Sequence, residues 1–295
     1  MMIYQKIYEP TIKSNITVIR DDLYPFLGGG NKGRKLDSIG QEILEQSYKA
    51  VVTTGGIQSN HCRATAVFCA QNNLKCTLIL HGDKEKFYQE SGNAKIMRMS
   101  GAEIIFVNQP VEIGPAMDQA MQNYQRIGIN AYYLWGGGHN CQGGKAYIDA
   151  INQLDKQLAV DYLFVACGTG STQAGIMAGL SQNNIDCKVI GISVARNQQS
   201  AQEHVSTFYN MLCDTFSIQR KHEVIVLDEY LCGGYEKYNN ELKKISDNSI
   251  QNYGFTLDTT YSGKAFWGMQ EHVLKHNLQG NIVFWHTGGI FNFLA

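Results

Sequence analysis

An α/β fold with two open, mostly parallel sheets flanked by helices is predicted for this 295-residue chain, and three observations predict it. Short apolar strands alternate with amphipathic helical stretches along most of the length. The strands are apolar throughout rather than on every second residue, which suits parallel sheets covered on both faces. No repeat, low-complexity tract or proline-rich linker breaks the alternation, and there are only four prolines.

The elements follow in order. In GGGNKGRKLDSIGQEIL, Leu36, Ile39 and Ile43 recur at helical spacing, so a helix begins near Lys32 with Asn31 as its candidate cap. AVVTT at 50–54 is the first assigned strand. The helix QSNHCRATAVFCAQ follows, with Cys62, Ala66, Cys69 and Asn73 on one face. CTLIL at 76–80, the helical AKIMRMSG ending at Gly101, EIIFV at 103–107 and AYYLW at 131–135 continue the pattern. YLFVA, KVIGIS, EVIVL and NIVFW supply four later strands. No strand is assigned before residue 50.

Twenty-five Lys and Arg against 26 Asp and Glu give a net charge of -1. That balance carries no electrostatic footprint for nucleic acid or an anionic membrane, so the expected partner is a small molecule. The first residues hold no apolar stretch of secretory length, which places the chain in the cytoplasm as an expectation. Eight cysteines form no CxxC pair and no compact Cys/His cluster, which argues against zinc and a redox pair. They read as reduced thiols, mostly buried.

Three glycine-bearing turns carry the chemistry. Taken alone, a lysine at position 32 is most often a solvated surface residue. Three consecutive glycines, however, permit close approach to the backbone, and Arg34 and Lys35 add positive charge that favours a neutral, nucleophilic amine. A nucleotide P-loop is set aside because Gly33 is followed by Arg34, Lys35 and Leu36 rather than by lysine and a hydroxyl residue. AVVTTGGIQSNH places Ser59, Asn60 and His61 at the start of a helix, where backbone N–H groups attract an anion; taken alone, that segment reads more simply as a connection capped by Ser59 or Asn60. CGTGSTQAG brings Gly168, Thr169, Gly170, Ser171 and Thr172 to a loop suited to a phosphate. Gln173 stands where a dinucleotide fingerprint needs glycine or alanine, which weakens a dehydrogenase reading. Near the end, Tyr261 and Ser262 precede a helix and His286 to Gly289 close the last strand. A lysine amine, a phosphate turn and a carboxylate turn together read as pyridoxal phosphate chemistry.

With these residues assembled, the chain resembles the D-cysteine desulfhydrase and 1-aminocyclopropane-1-carboxylate deaminase family of pyridoxal-phosphate enzymes, of fold type II and similar to the tryptophan synthase β fold. IRDDL, GGNKGRKLD, TTGGIQSNH, GTGSTQAG, GYEKYNNE, YSGKAFWGM and HTGG carry the resemblance, from about Ile19 to Gly289. By that resemblance Lys32 binds the cofactor covalently, Asn60 meets its ring hydroxyl, and Gly168 to Thr172 cradle its phosphate. Ser59 and His61 face the substrate carboxylate, and Tyr261 stands by the substrate with Tyr235 as a second tyrosine. Ser262 meets the ring nitrogen, where the deaminase branch has a glutamate and desulfhydrase-like members a hydroxyl residue. Glu236 and Tyr238 depart from the glycine and proline of the family block, and WGGGHNCQGG at 135–144 departs too, so His139 and Asn140 are candidates for shaping the substrate pocket.

The resemblance implies β-elimination from D-cysteine or a similar β-substituted amino acid, giving a keto acid, ammonia and sulfide. Aminocyclopropane carboxylate deamination, β-replacement or racemisation, and a catalytically silent cofactor- or amino-acid-binding protein are the alternatives. It further implies a homodimer with a larger cofactor-binding domain from residues 1–45 and 135–295 and a smaller α/β domain from 46–134, with the cofactor in the cleft.

Overall fold

The computed structural model describes residues 2–295. By contact density the chain divides into two compact units, one of residues 1–31 with 144–293 and one of residues 32–143 with 294–295. Strands β1 (Tyr4–Glu9) and β2 (Ser14–Arg20) pair as an antiparallel hairpin before the first helix. Neither is assigned from the sequence. YQKIYE alternates half-buried and exposed residues at the sheet edge, so it lacks the continuous apolar run that marks the interior strands.

Helix α1 (Gly30–Glu45) leads into β3 (Ala50–Gly56), α2 (Asn60–Gln71), β4 (Lys75–His81), α3 (Lys84–Gln89), α4 (Gly92–Met99), β5 (Glu103–Val107), α5 (Ile113–Arg126) and β6 (Ala131–Leu134). Their four strands form a wholly parallel sheet in the order β5-β4-β3-β6. Ala50, Val52, Ile79 and Ala131 pack with Met117, Ala120 and Tyr124 of α5. The period-2 alternation sends Thr53 to the opposite face, where its hydroxyl reaches His61 of α2.

The remaining elements are α6 (Cys141–Asn152), β7 (Tyr162–Cys167), α7 (Ser171–Gln182), β8 (Lys188–Ser193), α8 (Gln198–Thr215), β9 (Ile225–Leu227), α9 (Asn240–Tyr253), α10 (Ser262–His276), β10 (Ile282–His286) and α11 (Ile290–Phe293). The six-stranded sheet runs β1-β2-β10-β7-β8-β9 and is parallel except at the hairpin. Strand β7 shows why its sequence is continuously apolar. Leu163, Val165 and Cys167 join the core formed with α6, α7 and α8, while Phe164 and Ala166 join the one formed with α10. Burying a side chain the size of Phe164 stabilises by about 1.5–3 kcal/mol. Asp21 ties this core to the hairpin by accepting from Tyr147 Oη at 2.7 Å and Trp285 Nε1 at 2.8 Å.

Candidate active site

Lys32 is the third residue of α1, and Asn31 lies inside that helix rather than capping it. The glycines before it serve the protein's own backbone. Gly28, Gly29 and Gly30 all have positive φ, and a Cβ on Gly29 would stand 2.0 Å from the Asp22 carbonyl oxygen. A Cβ on Gly30 would lie 2.8 Å from the Thr287 carbonyl oxygen. Close approach is therefore satisfied by chain-to-chain packing, and the triple glycine gives no separate sign of a ligand. The Lys32 amine donates to the Gly137 carbonyl at 3.0 Å, and Lys35 Nζ lies 3.5 Å from the same oxygen. Burial pulls the Lys32 pKa from 10.5 to about 8. Desolvation is the cause, not the flanking positive charges that the sequence suggests.

The same unit fixes the start of α2. Ser59 is the N-cap and accepts from the Cys62 N–H at 3.2 Å. The Asn60 amide oxygen accepts from Asn93 Nδ2 at 3.0 Å, which fixes the orientation of the Asn60 amide. Asn93 is locked in turn by donating to the Gln58 carbonyl at 3.1 Å and accepting from Arg63 Nε at 3.1 Å. Burial pushes the Cys62 thiol up to about 12, so it is no nucleophile at neutral pH. His61 is buried, with Nε2 2.8 Å from Thr53 Oγ1. Asn140 is a structural residue: its amide oxygen accepts from Gly143 N at 2.8 Å and its nitrogen donates to Tyr132 Oη at 3.0 Å. His139 is half-buried on the same turn.

In the other unit, β7 ends in the Gly168 to Thr172 loop and α7 begins. Gly170 is the N-cap, at φ 87°, and no side chain caps the helix, so the first-turn N–H groups of this 12-residue helix point at the loop uncapped. Arg196 Nη1 donates to the Gly168 carbonyl at 2.5 Å and Asn31 Nδ2 to Thr172 Oγ1 at 3.2 Å. Thr169 and Ser171 hydroxyls lie 3.4 Å apart.

Tyr261 and Tyr235 share a hydroxyl-to-hydroxyl hydrogen bond, with ring centroids 5.8 Å apart. Burial, then the neighbouring Tyr235 and Asp258, holds the Tyr261 phenol well above its ordinary pKa, so it stays protonated. Ser262 is buried and donates its hydroxyl to Asp258 Oδ2 at 2.6 Å while accepting from Asp258 N at 2.9 Å. Its single hydrogen is directed at Asp258. Asp258 also accepts from the N–H groups of Thr260, Tyr261 and Ser262 at 2.7 to 3.0 Å, while burial raises its pKa.

Four positioning residues escape the sequence reading. Asn93 orients Asn60, Arg196 braces the Gly168 loop, and Asp258 organises the Tyr261–Ser262 turn. Lys264, fully buried, donates to the carbonyls of Gly234 at 2.7 Å and Leu231 at 2.8 Å and so holds the loop that bears Tyr235. An aspartate a few residues ahead of a helix is a readable capping signal; the other three act through tertiary contacts that no local pattern marks. Among the described residues, no three His, Cys, Asp or Glu side chains are placed to hold a metal, and none of the eight cysteines is in a disulfide.

One unit carries a desolvated lysine amine and the other an uncapped helix start with hydroxyls, the group types that an aldehyde cofactor with a phosphate tail requires. A family model described as "Pyridoxal-phosphate dependent enzyme" matches residues 5–288. The chain belongs to that family and is a pyridoxal-phosphate-dependent enzyme. It is 28% identical over 283 residues to a Klebsiella pneumoniae subsp. pneumoniae protein named "D-cysteine desulfhydrase", covering 93% of this chain and 86% of that one. It is 33% identical over 289 residues to a Thermotoga maritima protein named "Putative 1-aminocyclopropane-1-carboxylate deaminase", covering 95% and 90%. A solved structure described as an ACC deaminase homologue superposes with a TM-score of 0.92 at 28% identity, over 99% of this chain and 90% of that one. The two mostly parallel sheets are those of fold type II, as the sequence predicts.

Proposed function

We propose that the enzyme removes a β-substituent from a small amino acid, D-cysteine or a close analogue, and releases a keto acid, ammonia and, from cysteine, sulfide. The observation that carries this reading is the Ser262–Asp258 bond: with its hydrogen committed, Ser262 supplies neither charge nor proton to a ring nitrogen. That favours substrates whose leaving group departs easily over opening of a cyclopropane ring. Pyridoxal phosphate, held by Lys32, Asn60 and the Gly168 to Thr172 loop, supplies an aldehyde for amines and an electron-withdrawing ring.

The chain's own groups do the rest. Ser59 and the first N–H groups of α2 bind the substrate carboxylate. Lys32, whose pKa of about 8 leaves a usable neutral fraction near pH 7, takes the α-proton. Tyr261, kept protonated beside Tyr235, gives a proton to the departing group. The relatives' names support this chemistry class, and a homodimeric, cytoplasmic enzyme is part of the same proposal.

Aminocyclopropane carboxylate deamination is the second reading. Asp258 favours it, because it places a buried carboxyl one hydrogen bond behind Ser262, and burial raises that carboxyl's pKa. Product analysis separates the two: pyruvate and sulfide from D-cysteine are expected, whereas 2-oxobutyrate from aminocyclopropane carboxylate with no sulfide from either cysteine enantiomer overturns the first reading.

A further inference from the structure

Thr53 Oγ1 lies 2.6 Å from the Leu134 carbonyl oxygen and 2.8 Å from His61 Nε2. A threonine hydroxyl has one hydrogen, and at 2.6 Å a carbonyl oxygen, which can only accept, must receive it. Thr53 therefore accepts from His61, which fixes the Nε2–H tautomer and leaves Nδ1 as a bare lone pair. That Nδ1 is buried and has no hydrogen-bond partner. It faces the glycine turn: a Cβ built on Gly138 would be 3.8 Å from it and 3.5 Å from the Lys35 side chain. A buried acceptor without a donor costs about 1–3 kcal/mol, so an orphan at the start of α2 calls for a ligand group to satisfy it.

We propose that His61 Nδ1 is a fixed hydrogen-bond acceptor for the β-substituent of the substrate, selecting amino acids that carry a thiol or hydroxyl there. This rests on the reading of the enzyme as acting on small β-substituted amino acids. A carboxylate is an acceptor only, so the bare Nδ1 cannot bind it, and any bond from His61 to the carboxylate comes from its backbone N–H. Ser59 and the α2 N–H groups serve the carboxylate instead. The α-amine goes to the cofactor, which leaves a β-thiol or β-hydroxyl as the donor available to Nδ1. Burial and the nearby Lys32, Lys35 and Arg63 push the His61 pKa well below its ordinary value, so the lone pair persists at neutral pH.

Two measurements on the cofactor-loaded enzyme test this. With ¹⁵N-histidine labelling, and His61 assigned by its loss in His61→Gln, the ring should show a protonated Nε2 and an unprotonated Nδ1. The Nδ1 resonance should move on adding serine, as either enantiomer, and stay still with alanine. A protonated Nδ1, or equal responses to serine and alanine, overturns the proposal whether or not any substrate turns over. In kinetics, glutamine reaches Thr53 but lacks the Nδ1 acceptor, so His61→Gln should lower kcat/KM for cysteine about tenfold relative to β-chloroalanine, which has no donor. Equal losses on both substrates also overturn it. If neither substrate is consumed by the unmodified enzyme, the elimination reading fails while the resonance test still decides the role of His61. Thr53→Val should release the tautomer and Thr53→Ser restore it.

Discussion

The groups around Lys32 and those around Tyr261 answer burial in opposite ways. In the first, desolvation falls on bases: it lowers the pKa of Lys32 to about 8 and that of His61 well below its usual range, leaving lone pairs. In the second, it falls on acids: burial raises both Tyr261 and Asp258, and the Tyr261 phenol keeps its O–H. One physical cause, loss of water around a charge, thus yields a proton acceptor in one region and a proton donor in the other. Neighbouring Lys32, Lys35 and Arg63 add to burial at His61, and Tyr235, Asp258 and Glu236 add to it at Tyr261.

The comparison breaks most visibly at the tyrosine. Tyr261→Phe removes the hydroxyl assigned to the departing group, and turnover should fall roughly 10²–10⁴-fold with the cofactor still bound, as followed by its absorbance. Unchanged turnover would show that the acid lies elsewhere.

A smaller effect is expected on stability. Lys264→Met strips the carbonyls of Leu231 and Gly234 of their buried donor, and urea unfolding should show a loss of about 3 kcal/mol. Activity should fall beyond that loss only if the Tyr235 loop shifts, which near-ultraviolet circular dichroism of the tyrosines reports.

A comparable effect, confined to alkaline pH, concerns Lys32. In the cofactor-free protein Lys32 holds its proton less tightly than in the unfolded chain, so folding is penalised while both states are protonated, below about pH 8. The penalty lifts as pH rises from about 8 toward 10.5, where the unfolded chain alone still binds the proton. Relative to Lys32→Met, which has no titration, stability should climb across that window by up to about 3 kcal/mol. A flat difference would mean that the amine is solvated, and the lysine half of the comparison would fail.

Much of the site was legible because glycine turns, helix starts and a lysine at a helix entrance are local patterns. Eight of the ten strands were readable as apolar runs, while β1 and β2 were not: β1 is an edge strand half-facing water, and β2 mixes Ser14, Asn15, Thr17 and Arg20 with its buried Ile16, Val18 and Ile19. The reading also attached the wrong cause to two correct observations. The glycine triplet accommodates Asp22 and Thr287, and the amine of Lys32 is tuned by burial; both facts concern what lies across space.

By itself, then, the sequence determined the α/β alternation, the family motifs and the residue types at each turn, because these are written in period and local spacing. Only the tertiary structure decided which hydrogens are already spent. That Ser262 gives its proton to Asp258, that Asn60 is turned by Asn93, and that His61 is pinned by Thr53 and Leu134 all depend on one hydrogen choosing between acceptors. Such choices are settled by distances between residues as far as 81 positions apart, where no neighbour in the chain records them.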